Sequence, residues 1–278
     1  MYKTILVHVD AAARSANRTD VAARLALAHE AHLVGVAPTG LSAFMFPISV
    51  LDASVPPVAF PIDEMRATAG QALDVFESRV RQNGPSSFER RCPDDEAGAA
   101  LCLQARYADL VIIGQRGAGD DSLLLHPQFQ EFVLLNCARP VLVLPAAGST
   151  GDIGQRVTVA WNGSAEAMRA ITSAIPLLKR AAQVHLVVLR REDQQDEHGD
   201  DPGADMALYL ARHGVKVEVN VIDSTGDDGE SLLSFAADSG SDMIVMGAFG
   251  HSRFRELVLG GATRTALLSS PLPLWMAH

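Results

Sequence analysis

The chain reads as an α/β protein built from two copies of one domain, each a five-stranded parallel sheet with helices on both faces. Three observations predict it. Asp109-Leu-Val-Ile-Ile-Gly114 and Asp242-Met-Ile-Val-Met-Gly247 are short apolar runs that stop at glycine, as a strand buried on both faces requires. Such runs alternate along the chain with segments of helical spacing, which makes the strands parallel. The order then repeats: Val157–Asn162 matches Ile5–Asp10 at an offset of 152 (10 to 162), and Asp242–Gly247 matches Asp109–Gly114 at an offset of 133 (114 to 247). Pro273-Leu-Trp-Met276 falls on Pro140-Val-Leu-Val143 at the same 133.

In the first copy, Lys3–Asp10 is a strand ending in an acid, and Arg18–His32 carries apolar residues at Val21, Leu25 and Ala28 with helical spacing. His32–Ala37 is the second strand. Pro38–Pro61 breaks every regular pattern and holds isolated large apolar residues, Phe44, Met45, Phe46 and Phe60; it reads as a covering loop or a ligand lid. Asp63–Asn83 is an amphipathic helix that stops at Gly84-Pro85. Ser87–Cys92 is a third strand, and Asp94–Tyr107 a helix with Asp94 or Asp95 placed to cap it. Asp109–Gly114, Phe129–Cys137 and Pro140–Pro145 complete the copy as strand, helix and strand.

Ala146–Asp152 is a small-residue linker, which divides the chain into domains at 1–148 and 153–278. The second copy then runs through the helix Ala165–Arg180, the strand Gln183–Leu189, a helix near Ala204–His213, the strand Val215–Ile222, and the helix Gly229–Ser239. Asp193–Asp205 is acidic and lacks the spacing of a calcium loop, so it reads as a solvated connection.

Composition narrows the function. The 278 residues are 48% hydrophobic and 20% charged, with 23 basic against 33 acidic side chains and a formal charge of −10. That surface repels polyanions, so nucleic acid is excluded as a general partner, while a local anion pocket stays open. No apolar run approaches membrane-spanning length, and Met1–Val7 enters a strand with no signal core; a cytoplasmic protein with no membrane partner is expected. Cys92, Cys102 and Cys137 have no C-x-x-C spacing and read as reduced, mostly buried thiols. There is no G-x-S-x-G elbow, and His8, His126, His251 and His278 form no zinc spacing. His8 lies inside a strand and reads as a core residue. No catalytic residue and no protein-held metal site is assigned.

The chemistry concentrates after the strand ending at Gly247. Glycines at Gly247, Gly250, Gly260 and Gly261 precede Ala262–Leu268, a helix-compatible segment, so Gly260, Gly261 and Thr263 fall where a helix N-terminus exposes unpaired N–H groups. Phosphate oxygens suit such a place without any lysine. The spacing Gly247-x2-Gly250-x9-Gly260 is neither a dinucleotide fingerprint nor a Walker loop.

It resembles the nucleotide loop of the universal stress protein family, G-x2-G-x9-G-[ST], and Trp161-Asn-Gly-Ser164 resembles the opening of the second half in tandem members. The resemblance covers nearly the whole chain. It implies the strand order 3-2-1-4-5 and a pseudo-dimer of the two copies with Pro140–Leu144 beside Leu272–Met276. It also implies ATP or a related adenine nucleotide as ligand, with or without Mg²⁺. Ala160, Trp161 and Asn162 would border adenine and ribose, with Val188 and Met246 closing the base pocket. Gly247, Gly250, Gly260, Gly261, Ala262 and Thr263 would hold ribose and phosphates, and His251, Ser252 and Arg253 would reach the outer phosphates.

This chain departs from the family pattern twice. Gly261 stands where the loop has Ser/Thr, and Asn162 where the family has aspartate. Asn162-Gly163-Ser164 also reads as a turn and helix cap, and Trp161 equally as a core wall. In the first copy Asp10 and Gly114-Gln-Arg-Gly117 are kept, but Pro127 replaces the third glycine and Asp120-Asp121 would oppose a phosphate, so that site reads as degenerate. The expected role is regulation in a stress response through an unknown protein partner, in a monomer or homodimer. A nucleotide-free interaction module and a weak ATP hydrolase assisted by Arg253 and Arg255 are the alternatives.

Overall fold

Continuous apolar runs became strands buried on both faces. The computed structural model describes residues 1–40, 61–116, 128–149, 151–190, 201–224, 226–250 and 261–278. The chain divides into two compact units, Tyr2–Arg139 and Pro140–His278, the latter with Met1. In the N-terminal unit, β1 (Thr4–His8), β2 (His32–Val36), β3 (Phe88–Arg91) and β4 (Leu110–Gly114) lie parallel in the order β3-β2-β1-β4. Ile5, Val7, Leu33 and Leu110 to Ile113 are fully buried between α1 (Arg14–His29), α2 (Ile62–Asn83), α3 (Ala97–Ala105) and α4 (Phe129–Asn136).

Two local expectations are corrected. α1 begins at Arg14, four residues ahead of Arg18, and ends at Glu30 in the left-handed region (φ 51°). α3 is capped by Glu96, whose carboxylate accepts from the N–H groups of Gly98 and Ala99, both at 2.9 Å; neither Asp94 nor Asp95 caps it. Glu96 holds the extended backbone a cap needs, whereas Asp94 is bound by Arg66 at 2.5 Å.

The C-terminal unit holds β5 (Val141–Leu144), β6 (Arg156–Ala160), β7 (Gln183–Arg190), β8 (Val217–Asp223), β9 (Met243–Gly247) and β10 (Leu274–Ala277). The second copy's own strands run β8-β7-β6-β9-β10, all parallel, which is the order 3-2-1-4-5. The fifth strand of the first copy, β5, adds antiparallel to β10, with Trp275 opposite Leu142. An apolar edge is thereby paired. Its helices are α5 (Ala165–Leu178), α6 (Ala204–Arg212), α7 (Asp228–Asp238) and α8 (Ala262–Ser269).

One device recurs in both copies and fixes the strands that frame each crevice. The acid preceding strand four accepts main-chain N–H groups from the start of strand one: Asp109 from Lys3 and Thr4 at 2.6 and 3.0 Å, Asp242 from Gly154, Gln155 and Arg156 at 2.7 to 2.9 Å. Most of Pro38–Pro61 and the first part of Asp193–Asp205 lie outside the described residues, as do Gly117, Asp120, Asp121, His126 and Pro127. No described helix is long and apolar enough to cross a membrane.

Candidate functional site

In an open parallel sheet, ligands collect beyond the carboxyl ends of the strands where the winding reverses. In the C-terminal unit that point lies between β6 and β9. Val159 pairs with Val245, so the register brings Ala160 level with Met246 at the mouth of the crevice. Trp161 leaves β6 half-buried, its N–H donating to Val187 at 2.9 Å. Asn162 is exposed. Its Oδ1 accepts the Ser164 hydroxyl at 2.7 Å and the Ser164 N–H at 3.2 Å, and Ser164 Oγ in turn caps α5 by accepting from Ala167 N–H at 3.1 Å. Asn162 therefore shapes the turn that starts the helix.

Across the crevice, β9 ends at Gly247, and this glycine has a packing reason of its own. A Cβ there would lie 2.5 Å from the main-chain N of Ala167, so its absence lets the start of α5 close onto the strand. The chain continues through Ala248, fully buried, to Phe249, which adopts a positive φ of 57°. Phe249 N–H donates to the hydroxyl of Thr263 at 3.1 Å. That bond ties the end of β9 to the first turn of α8. Thr263 thus uses its oxygen as an acceptor inside the fold. Among the described residues no side chain caps α8, whose N-cap position is Gly261. The N-terminal dipole and first amides of this helix are what an anion would meet.

The structure brings together Ala160, Trp161, Asn162, Met246, Gly247 and Gly250 with Gly261, Ala262 and Thr263. Val188 differs: β7 continues two residues past it, and its side chain is fully buried beside Gly203. Met246 is also almost wholly buried. His251, Ser252, Arg253 and Gly260 lie outside the described residues, as does Arg255. The sequence reading missed Glu166. A Cβ on Gly250 would sit 3.0 Å from its Oε2, so this carboxylate borders the start of the loop, where it also meets Arg169 at 3.5 Å. An acid in the first turn of a helix is ordinary, and nothing in the sequence set it apart.

The corresponding point of the N-terminal unit, between β1 and β4, is filled. Arg18, only 5% exposed, donates from Nε to the His8 carbonyl at 2.6 Å and pairs through Nη2 with Asp10 at 2.9 Å. Its Nη1 lies 2.6 Å from where a Cβ of Gly114 would be. Asp10 also accepts from Ala12 N–H, and His8 stands 3.7 Å from it with its ring against Phe129. Burial, then the Arg18 charge, pushes His8 down to about 4, against the pull of Asp10. Burial acts to raise the Asp10 carboxyl, but Arg18, His8 and the hydrogen bonds outweigh it and hold it below the usual carboxylate range. Spacing did carry a signal for Arg18: it shares the face of Val21, Val21's neighbour Ala22, and Leu25, all buried.

The profile of the universal stress protein family matches residues 154–278. Over those residues the chain is similar to the universal stress protein family. A curated relative, universal stress protein Slr1230 of Synechocystis, is 27% identical over 168 residues, 60% of this chain; the match spans 56% of that relative's length. A universal stress protein from Archaeoglobus fulgidus superposes over 99% of this chain and 95% of its own at a TM-score of 0.73 and 18% identity. A protein described as a putative universal stress protein from Pseudomonas aeruginosa UCBPP-PA14 covers 99% and 93% at 0.61 and 13%. At these identities the structural likeness speaks for the fold.

Proposed function

We propose that this chain is a universal stress protein that binds ATP in its C-terminal unit, between β6 and β9, and acts by that binding as a regulatory protein in a stress response in the cytoplasm. The observation that carries the reading is the start of α8: an N-terminus that no side chain among the described residues caps, joined by the Thr263–Phe249 hydrogen bond to the strand end where the crevice opens. The triphosphate lies along that N-terminus. Ribose meets Asn162, and the base lies toward Ala160, Trp161 and Met246. Magnesium accompanying the nucleotide would find an oxygen donor in Glu166 and keep waters for the rest of its shell. The N-terminal unit takes no nucleotide, because the Arg18 guanidinium stands where the ligand would enter.

Gly261→Asp tests the assignment. Aspartate is a favoured helix cap, so its carboxylate would satisfy the amides of α8 and oppose the phosphates without harming the helix. Calorimetry should show ATP affinity reduced by at least about tenfold, a loss of about 1.4 kcal/mol, with thermal stability unchanged or higher. Undiminished affinity in a folded variant would remove the phosphates from α8. A wild-type protein that binds no adenine nucleotide would instead favour the interaction module, for which the Asn162–Ser164 turn and the Glu166 carboxylate beside Gly250 already give a structural role to this end of the sheet.

A further inference from the structure

We propose that Cys102 and Cys137 form a reversible disulfide within the N-terminal unit, a redox modification site independent of the nucleotide crevice. Its geometry follows from the packing of α3 on α4. Gly98, Cys102 and Arg106 are spaced four apart and share one face of α3. At the first of these levels a Cβ on Gly98 would lie 2.6 Å from the Phe132 ring, so the helices touch at Phe132. At the last, Arg139 Nη2 donates to the Arg106 carbonyl at 3.1 Å, which fastens the chain leaving α4 to the end of α3. Cys102 lies midway between the two pinned levels, and Cys137 lies between Phe132 and Arg139 on the opposing segment.

The two thiols meet there. Cys137 closes α4, its N–H donating to Val133 O at 2.8 Å, and is 8% exposed, while Cys102 is half-buried. The Cys102 thiol shares its proton with the Cys137 sulfur, which raises Cys102 and lowers Cys137; the Arg139 main-chain N–H and guanidinium favour the Cys137 thiolate further against the cost of burial. Of the two, Cys137 gives up its proton more readily and is the attacking thiol, while Cys102 keeps its proton and is the resolving one. With a hydroperoxide as oxidant, the Cys137 sulfur attacks the terminal oxygen, the O–O bond breaks, and Cys137 becomes a sulfenic acid while the departing hydroxide or alkoxide takes a proton to leave as water or an alcohol. Cys102 then attacks that sulfur, its proton leaves with the departing hydroxide as water, and the S–S bond forms. Two electrons pass from the sulfurs to the peroxide. A dithiol reductant reverses the change. Cys92, expected to be buried, is exposed, and its thiol is raised by partial burial and by Asp94, so it is the internal control.

The test uses the full chain treated with hydrogen peroxide and mapped by mass spectrometry under non-reducing conditions. The expected product is an intramolecular Cys102–Cys137 linked peptide, lost in Cys102→Ser and in Cys137→Ser and retained in Cys92→Ser. Dimedone should trap a sulfenic acid at Cys137 in folded Cys102→Ser, whereas Cys102 in Cys137→Ser should be alkylated at least about tenfold more slowly than Cys137 in wild type. Far-ultraviolet circular dichroism verifies that each variant is folded. Dimers linked through Cys92 in place of the internal link, or sulfinic acid accumulating at Cys137 in wild type, would overturn the proposal.

Discussion

The two copies meet the same geometric problem at the winding reversal and solve it differently. Buried positions of α1 and α5 correspond at the offset of 152: Ser15 with Ala167, Arg18 with Ala170, Thr19 with Ile171, Ala22 with Ala174. Where the first copy has arginine, the second has alanine. Gly114 and Gly247 also correspond, yet each lacks a side chain for its own reason. Gly114 makes room for a guanidinium, and Gly247 lets the main chain of α5 approach. The comparison teaches that a repeated glycine is not a repeated function: one crevice has its cation built in, with Asp10 as counter-ion, and the other ends at a helix that no side chain among the described residues caps.

Removing the built-in cation tests that contrast most severely. Arg18→Ala leaves Asp10 and His8 in a partly dry site without their partner, and losing one member of such a pair costs about 3 kcal/mol or more. Urea unfolding should record that loss, and a change below about 1 kcal/mol would mean that the pair contributes little to the first crevice.

The glycines sharpen the comparison next. Gly247→Ala forces a methyl against the backbone of Ala167, which cannot swing away, at about 3 kcal/mol; Gly114→Ala meets the far end of a side chain and should cost about 1–2 kcal/mol. Equal losses, or the reverse order, would break the assignment of different roles to the two positions.

The dependence on pH sharpens the contrast further. His8 titrates at about 4 in the folded protein against 6.5 unfolded, so between those values the unfolded chain binds more protons and stability falls as pH falls. The contribution is fully present above pH 6.5 and about 2 kcal/mol of it is gone at pH 5. The lowered Asp10 carboxyl adds its loss only below its ordinary value of 3.8. A His8→Asn variant should flatten the wild-type slope between pH 7.5 and 5; an unchanged slope would place the titrating group elsewhere.

How much of this was legible beforehand depends on the range of the interaction. Strand runs and their repeat were readable because burial on two faces leaves a local pattern, and so was the glycine-rich approach to α8. The cap of α3 was misassigned by one or two residues, since Asp94 and Asp95 satisfy the same local preference as Glu96 and only the Arg66 contact separates them. Arg18 was visible as a charge on an apolar face, but its partners lie on β1 and its glycine on β4, and no local rule joins them.

The sequence by itself determined the alternation of strands and helices, the duplication and the helix start near Gly261, because each follows from periodicity or propensity within a few residues. Tertiary structure alone decided which crevice Arg18 fills, that Thr263 bonds Phe249, and that Cys102 meets Cys137. Those outcomes depend on side chains up to about a hundred positions apart, and long-range packing selects them through close contact and desolvation, which local pattern does not encode.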